Sequence, residues 1–394
     1  MQEMAGANQS TPLAMKFSVN KNKLAESVSR VMKAVSSRTT IPILTGIKIT
    51  AGIEGIQLTG SNSDISIHSF IPLEENGDIN AEIARPGNIV LPSRLFSELV
   101  RKLSEDTVHI EADSRMITKI TSGATEFTLN GMDPDEYPNV SAIDDQNIIK
   151  IRIDLLKEVI RQTIYAVSSS ETRPVLTGVK WSVQNGKLDC VATDAHRLAQ
   201  RTIPVETEGE RDEEQMVIPG SSLSELSKIL DDHEEEWVEL VMTANQVLFK
   251  TRNVQFFSRL LDGNYPNTDQ LIPKESRTTM TIPTKALYHA VERASLLAKE
   301  ELNNVVKLRN EGKSIELSSQ SLELGRVFET LNAEEVNGED MRIAFSAKFM
   351  MDALSRIDAQ NIRIFFTGPM RPFIIRPIGD EGILMLILPI RTYQ

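Results

Sequence analysis

The sequence predicts an α+β protein built from three tandem copies of one domain of roughly 125 residues, each placing two helices against antiparallel strands. Three observations carry this: a motif that recurs 132 positions downstream, an amphipathic helix signature that occurs three times, and short alternating strand patterns between the helices. With 394 residues, 40% of them hydrophobic, the chain is long enough for two or three cores.

Residues 1–14 are polar, lack the basic start and apolar stretch of a secretory signal, and are expected to be a leader or disordered tail. Met15-Lys16-Phe17 opens the first strand of copy one, taken as 15–141; copies two and three are taken as 142–273 and 274–394. Leu24, Val28, Val31 and Val35 fall on one side of a helix, and Lys23, Arg30 and Lys33 on the other. Ala34-Val-Ser-Ser-Arg38 then runs into Ile41-Pro-Ile-Leu-Thr-Gly-Ile-Lys48. Its second version is Ala166-Val-Ser-Ser169, running through Arg173 into Pro174-Val-Leu-Thr-Gly-Val-Lys180; Asn304-Val-Val-Lys307-Leu308 is a weaker third. Ile47, Ile49, Ile56 and Leu58 alternate with polar residues, and Gly52 and Gly55 mark the turn between two strands.

A second helix closes the middle of each copy, within 91–103, 218–230 and 345–357, with Pro92 and Pro219 expected in the first helical turn. Leu129-Asn-Gly-Met-Asp-Pro-Asp-Glu-Tyr-Pro138 returns as Leu261-Asp-Gly-Asn-Tyr-Pro266. In copy three Leu287, Val291, Ala294 and Ala298 make the apolar stripe of the first helix, and Lys285, Arg293 and Lys299 lie away from it.

Composition excludes several function classes. No segment approaches the run of about 20 apolar residues that spans a bilayer. Cys190 is the only cysteine, which rules out a disulfide framework, fits a reducing cytoplasm and reads as a small buried hydrophobe. The sequence has no Gly-rich phosphate loop, no His-Glu-x-x-His and no nucleophile elbow, and no metal or cofactor is expected. Asp194-Ala-His196-Arg197 is the one group that resembles acid–base chemistry. Copy one has Ser63-Asp64-Ile65-Ser66 there, with no second titratable cluster nearby, so the segment reads as a hydrogen-bonded loop or a partner-binding surface rather than a catalytic site.

The net charge of −12 argues against a nucleic-acid partner until its distribution is considered. Acidic residues crowd into 206–214 and 231–239, whereas 15–38 holds Lys16, Lys21, Lys23, Arg30, Lys33 and Arg38 against Glu26 alone. Basic helices on an acidic protein suggest one shared surface facing a polyanion. Twelve such helices side by side, from six domains at roughly 10 Å spacing, trace a circle about 38 Å across and leave a hole of roughly 26–28 Å, wide enough for duplex DNA. Three copies per chain then require a closed head-to-tail dimer.

Thr193-Asp-Ala-His-Arg-Leu198, Asp262-Gly-Asn-Tyr-Pro266 and Leu388-Pro-Ile-Arg391, in this order and spacing, resemble the signatures of the bacterial sliding-clamp family, the β subunits of DNA polymerase III. The resemblance covers residues 15–394 and implies a non-enzymatic homodimeric ring, helices lining its hole, that encircles duplex DNA without reading sequence and gives the polymerase processivity. It implies a groove between domains two and three that docks peptide tails of polymerase, clamp loader and repair factors. The implied lining is Leu176, Thr193, His196, Arg197, Leu198, Pro266, Leu271, Pro372, Leu386, Leu388, Pro389, Ile390 and Arg391. Ala195 stands where many relatives have Gly and Gln270 where some have Arg, which bears on peptide preference. For DNA it points to Arg38 and Arg173, read as equivalent positions of copies one and two, with Ser170 near the second; Lys23, Arg30 and Lys33 join them from the helix-face reading. For the dimer seam it sets Phe127 and Leu129 against Leu296 and Leu297, four residues whose pattern alone makes them core candidates.

Overall fold

The computed structural model describes residues 13–36, 38–138, 148–207, 214–230, 236–298, 304–321 and 323–391. Residues 1–12 of the expected leader, 208–213 and 231–235 of the acidic stretches, Lys299 and the division drawn between 141 and 142 lie outside the described residues. Contacts divide the chain into two compact units, one of Met1–Ile148 with His233–Arg259, the other of Ile149–Asp232 with Leu260–Gln394.

The elements repeat three times in the expected order. Copy one has β1 (Leu13–Asn20), α1 (Lys21–Val31), β2 (Gly46–Gly52), β3 (Gly55–Ser61), β4 (Ile65–Pro72), a ribbon of β5 (Glu74–Glu75) and β6 (Asp78–Ile79), β7 (Ala81–Arg85), β8 (Gly87–Pro92), α2 (Ser93–Lys102), β9 (Thr107–Asp113), β10 (Ile117–Ser122) and β11 (Thr125–Asn130). Copy two has β12 (Ile149–Arg152), α3 (Ile153–Thr163), β13 (Gly178–Gln184), β14 (Lys187–Thr193), β15 (Arg197–Pro204), β16 (Glu206–Thr207), β17 (Glu214–Pro219), α4 (Gly220–Ile229), β18 (Trp237–Met242), β19 (Gln246–Lys250) and β20 (Val254–Arg259). Copy three has β21 (Thr278–Pro283), α5 (Thr284–Ala298), β22 (Val305–Glu311), β23 (Ser314–Ser321), β24 (Gly325–Asn332), β25 (Glu335–Gly338), β26 (Arg342–Ser346), α6 (Ala347–Leu354), β27 (Asn361–Phe366), β28 (Phe373–Pro377) and β29 (Ile383–Ile387).

The first unit holds a sheet in the order β11-β10-β9-β1-β7 and another running β18-β19-β20-β4-β3-β2-β8. The hairpin expected around Gly52 and Gly55 forms, with those glycines paired, and Ile47, Ile49, Ile56 and Leu58 are wholly buried. Helix α1 packs Leu24, Val28 and Val31 inward and is capped by Asn20, whose Oδ1 accepts the N–H of Asn22 at 2.9 Å. Strand β3 lies so close to this helix that a Cβ on Gly60 would meet the Val31 carbonyl oxygen at 2.3 Å. The helix ends at Val31, so Lys33 and Val35 belong to the turn beyond it.

The second unit holds a nine-stranded sheet, β17-β13-β14-β15-β29-β28-β27-β21-β25, and a four-stranded one, β24-β23-β22-β26. One core of this unit is built by the stripe Leu287, Val291, Ala294 and Ala298 of α5 together with Phe345, Met350, Phe366, Phe373 and Ile375. Cys190 is buried, and burial pushes its thiol pKa well up.

Two features were not visible in the sequence. Pro92 and Pro219 do not occupy the first helical turn: each is the residue before the helix and still pairs as strand, with Gly46 and with Gly178. A fixed φ near −65° suits extended backbone as well as a helix start, and at the end of a ladder the missing N–H costs little. The copies also share sheets. Strand β4 of copy one pairs antiparallel with β20 of copy two, from Ser69↔Val254 to Ile65↔Ser258, and β15 of copy two pairs with β29 of copy three, from Arg197↔Ile387 to Arg201↔Ile383.

Candidate functional site

The segment Thr193–Leu198 is the turn between β14 and β15, and its side chains hold it in one shape. Asp194 Oδ1 accepts the N–H groups of His196 (2.9 Å) and Arg197 (3.0 Å), and Thr193 Oγ1 accepts the N–H of Ala195 at 3.1 Å while donating to the Arg197 carbonyl at 2.6 Å. Ala195 is thereby held at φ 74°, in the left-handed region that glycine adopts without strain.

Arg197 is 8% exposed and enclosed by four groups. Its Nε donates to Asp194 at 3.0 Å and its Nη1 to Asp352 of α6 at 2.6 Å. The guanidinium carbon lies 4.5 Å from the ring centroid of Phe349 and 5.3 Å from that of Tyr165, whose hydroxyl pKa is raised by burial. His196 is exposed and stacks on the same Phe349, ring centroids 6.5 Å apart and planes 23° apart. The Leu388 N–H donates to the His196 carbonyl at 2.9 Å, so the segment after β29 runs beside this turn with Leu388 exposed. Asp, His and Arg therefore do not form an acid–base site: Asp194 and Asp352 neutralise Arg197, Tyr165 and Phe349 cover its guanidinium, and His196 is left exposed on Phe349. Phe349, Tyr165 and Asp352 carry no local motif that sequence reasoning could have detected.

Leu198 and Leu386, paired across β15 and β29, lie on the opposite face of the sheet in a cluster with Val191, Ile374 and Leu384, against which Ile272 packs. They, Thr193 and Leu176 are buried, whereas Pro266, Pro389 and Ile390 are half-buried and Arg391 is exposed. The Tyr265 hydroxyl accepts the Thr193 N–H at 3.1 Å, drawing the stretch before Pro266 onto β14. Leu271 and Pro372 line a separate hollow with Gln270, Lys274 and Arg371, and Ile390 lines another on the four-stranded sheet.

The basic stretch of copy one is less free than its composition suggests. Lys23 pairs with Glu75 at 2.9 Å and Lys16 with Glu111 at 2.8 Å, carboxylates returned by strands remote in sequence, and Arg30 pairs with Glu26 one turn earlier on its own helix at 2.5 Å. Lys33 and Arg38 are exposed, as are Ser170 and Arg173. Arg38 and Arg173 are not equivalent. Ser36 Oγ accepts the N–H of Arg38 at 3.1 Å and Ser168 Oγ that of Ser170 at 3.0 Å, while Thr45 and Thr177 close matching turns on the carbonyls of Pro42 (2.8 Å) and Pro174 (2.7 Å). Ser170 is thus the counterpart of Arg38, and Ile41 that of Arg173. The two segments are equally long, Ser36 to Pro42 and Ser168 to Pro174, so Arg173 stands three positions beyond the counterpart of Arg38.

Of the four seam candidates, Leu129 is buried and Leu297 half-buried, but Phe127 is 41% and Leu296 63% exposed, so these two are not core. Strand β11, which carries Phe127, is the outermost strand of its sheet among the described residues, as is β24 in the other unit. No helix among the described residues is long and apolar enough to cross a membrane, and none of their His, Cys, Asp and Glu side chains form a group able to hold a metal ion.

Three sequence families match the chain in order: the N-terminal domain of the DNA polymerase III beta subunit over 15–141, its central domain over 150–267 and its C-terminal domain over 269–391. A beta sliding clamp of Bacillus subtilis is 55% identical over 380 residues, 96% of this chain and all of that protein, and one of Halalkalibacterium halodurans is 47% identical over 381 residues, again 96% of this chain and all of that protein. The crystal structure of the Bacillus subtilis DNA polymerase sliding clamp matches with a TM-score of 0.94 over 96% of this chain and all of that one. That of a DNA polymerase III beta chain from Streptococcus pneumoniae, 37% identical, matches with a TM-score of 0.91 over the same shares. The chain belongs to the DNA polymerase III beta subunit family.

Proposed function

We propose that this chain is a non-catalytic sliding clamp: a head-to-tail homodimer that closes around duplex DNA in the cytoplasm, slides without reading sequence and tethers the replicative polymerase. The observation that carries this reading is the rule by which the copies share sheets. Strand β4 takes the last strand of copy two, β20, and β15 takes the last strand of copy three, β29. Applied once more, the rule leaves β24 to take β11 of a second chain, and two such seams close six repeats into a ring.

The repeats supply the register of that seam. The pairs Ile117↔Asn130 and Gln246↔Arg259 make the hairpins ending in β11 and β20 superimposable, and Thr59↔His68 and Ser318↔Phe328 do the same for β4 and β24. Transferred from Ile67↔Phe256, Val327 faces Phe127 of the second chain, and Phe328 faces Glu126. Leu129, Leu296 and Leu297 complete the seam from the neighbouring strand position and from α5.

Within the ring, Lys33, Arg38 and Arg173 meet phosphates, Ser170 hydrogen-bonds beside them, and Lys23 and Arg30 add a field weakened by their own ion pairs. Partner peptides dock on the surface around His196, Arg197 and Leu388, extending toward Leu176, Thr193, Leu198, Pro266, Leu271, Pro372, Leu386, Pro389, Ile390 and Arg391; hydrophobic peptide anchors meet apolar walls and the His196 ring exposed on Phe349. The divisions 15–141, 142–273 and 274–394 remain our working domain bounds.

Disulfide trapping tests this reading. Facing residues of an antiparallel pair have Cβ atoms about 4.5–5.5 Å apart. Phe127→Cys combined with Val327→Cys should form a covalent two-chain circle under mild oxidation, with Cys190 silent because it is buried. Trapping only of chains shifted in register, or no trapping at all, contradicts it.

A further inference from the structure

The outer face of β22, β23 and β26 carries a hollow of about 580 Å³, and the other two repeats show what such a face receives. Lys48, Lys180 and Lys307 are equivalent: each pairs with the strand that leads into the second helix of its copy, opposite Val90, Val217 and Ala344. In copy one Met132 donates its N–H to the Val90 carbonyl at 2.8 Å, and the chain runs on through Asp133, Asp135 and Glu136 to Tyr137. Lys48 Nζ donates to the Pro134 carbonyl at 3.2 Å and lies 5.9 Å from the centroid of the Tyr137 ring. That ring is buried, and its hydroxyl donates to the Thr59 carbonyl of β3 at 3.3 Å. In copy two Leu261 donates to the Val217 carbonyl at 2.8 Å, and the chain passes Asp262 to reach Tyr265, whose hydroxyl accepts the Thr193 N–H of β14.

In copy three Ile390 donates to the Ala344 carbonyl at 2.8 Å, but no tyrosine lines the hollow among the described residues. The seat is also roomier and more basic. Alanine at 344 replaces the valines of the other copies, and Arg309 and Arg342 pair where copy one has Thr50 and Asn88. The cations Lys307, Arg309 and Arg342 share one lining carboxylate, Glu316, which Arg309 holds at 2.9 and 3.1 Å. Phe328, 58% exposed, closes one side.

We propose that this hollow docks a segment of another protein with the chemistry of the chain's own linkers: an extended stretch whose acidic residues lead to a tyrosine. The ring is received over Lys307 beside Phe328, its hydroxyl reaches the backbone of β23 as its counterparts reach β3 and β14, and the acidic residues meet Lys307 and Arg342. A segment arriving from another molecule loses translational and rotational freedom that a tethered linker does not, and the two added arginines offset that cost. The inference rests on the internal repeat and on charge, and is independent of ring closure and of docking beside His196.

The probe is the linker of copy one as a fluorescein-labelled peptide, Asp-Pro-Asp-Glu-Tyr-Pro, titrated with the full chain by fluorescence polarisation. Saturable binding is expected, weakened at least about tenfold by Lys307→Glu combined with Arg342→Glu, by Ser318→Trp, and by alanine in place of the peptide's tyrosine. The charge reversal keeps the test decisive should Ser318→Trp fail to fold, because both cations are exposed. Absence of saturable binding overturns the proposal, as does binding that survives the charge reversal. Displacement by a hydrophobic peptide without acidic residues would place the probe beside His196 instead, and displacement by equimolar oligothymidylate would make the hollow a nucleic-acid site; either result also overturns it.

Discussion

Replacing Leu296 by serine tests the proposed seam where the protein exposes most apolar surface for it. Full burial of a leucine side chain is worth about 1.5–3 kcal/mol. Since 63% of Leu296 is open in the single chain, the seam recovers about 1–2 kcal/mol from it. A closed dimer contains two seams, so Leu296→Ser removes about 2–4 kcal/mol from association, and at about 1.4 kcal/mol per decade the dimer dissociation constant rises roughly 30- to 700-fold. The folded chain should be unharmed, because an exposed side chain contributes little to its own core. Sedimentation velocity across nanomolar to micromolar concentrations reads the shift directly. A dimer as tight as the parent, with circular dichroism unchanged, would refute the reasoning and move the interface away from α5.

Three further outcomes follow from the geometry. Arg197→Ala, and to a lesser extent Arg197→Lys, should weaken binding of a short hydrophobic peptide by about 1–3 kcal/mol, because lysine keeps the charge but neither the planar stack on Phe349 nor the paired hydrogen bonds; fluorescence polarisation with unchanged affinity contradicts this. Ala195→Gly should raise stability by about 0.5–1 kcal/mol, the strain relieved at φ 74° less the extra entropy of glycine, and a lowered urea midpoint would show that the turn is not strained. His68, packed 5.0 Å from the Phe257 ring, has its pKa lowered by burial to about 4, so the unfolded chain protonates first as pH falls. Its contribution is complete above about pH 6.5 and is lost between there and about pH 4, up to about 3 kcal/mol; His68→Phe should flatten the pH dependence of stability in that window, and an unchanged profile contradicts the assignment.

Much of the fold was legible because it is local and repeated. The stripes of α1 and α5 follow from 3.6-residue spacing, and the β2–β3 hairpin from alternation around Gly52 and Gly55. The sheet shared between copies was not legible, because nothing in the composition of β4 states that its neighbour is β20. The same limit applies to the site. Asp194 and Arg197 are three residues apart and readable together, whereas Asp352 and Phe349 reach Arg197 only through α6. The basic helix face was half legible: the cations are in the sequence, but Glu75, which neutralises Lys23, arrives on a ribbon after β4. Residue type is a poorer guide to equivalence than spacing: Arg38 and Arg173 share a side chain, but the position 132 beyond Arg38 is Ser170, and the hydrogen bonds match the same pair.

The central claim is topological, and loading onto circular DNA tests it most directly. Protein placed on a nicked circle by a clamp loader should remain bound at moderate salt through gel filtration, then be released when a restriction cut linearises the circle, because a closed ring holds by linkage rather than by phosphate contacts that salt weakens. Equal retention on circular and linear DNA, or equal loss from both, would contradict the ring.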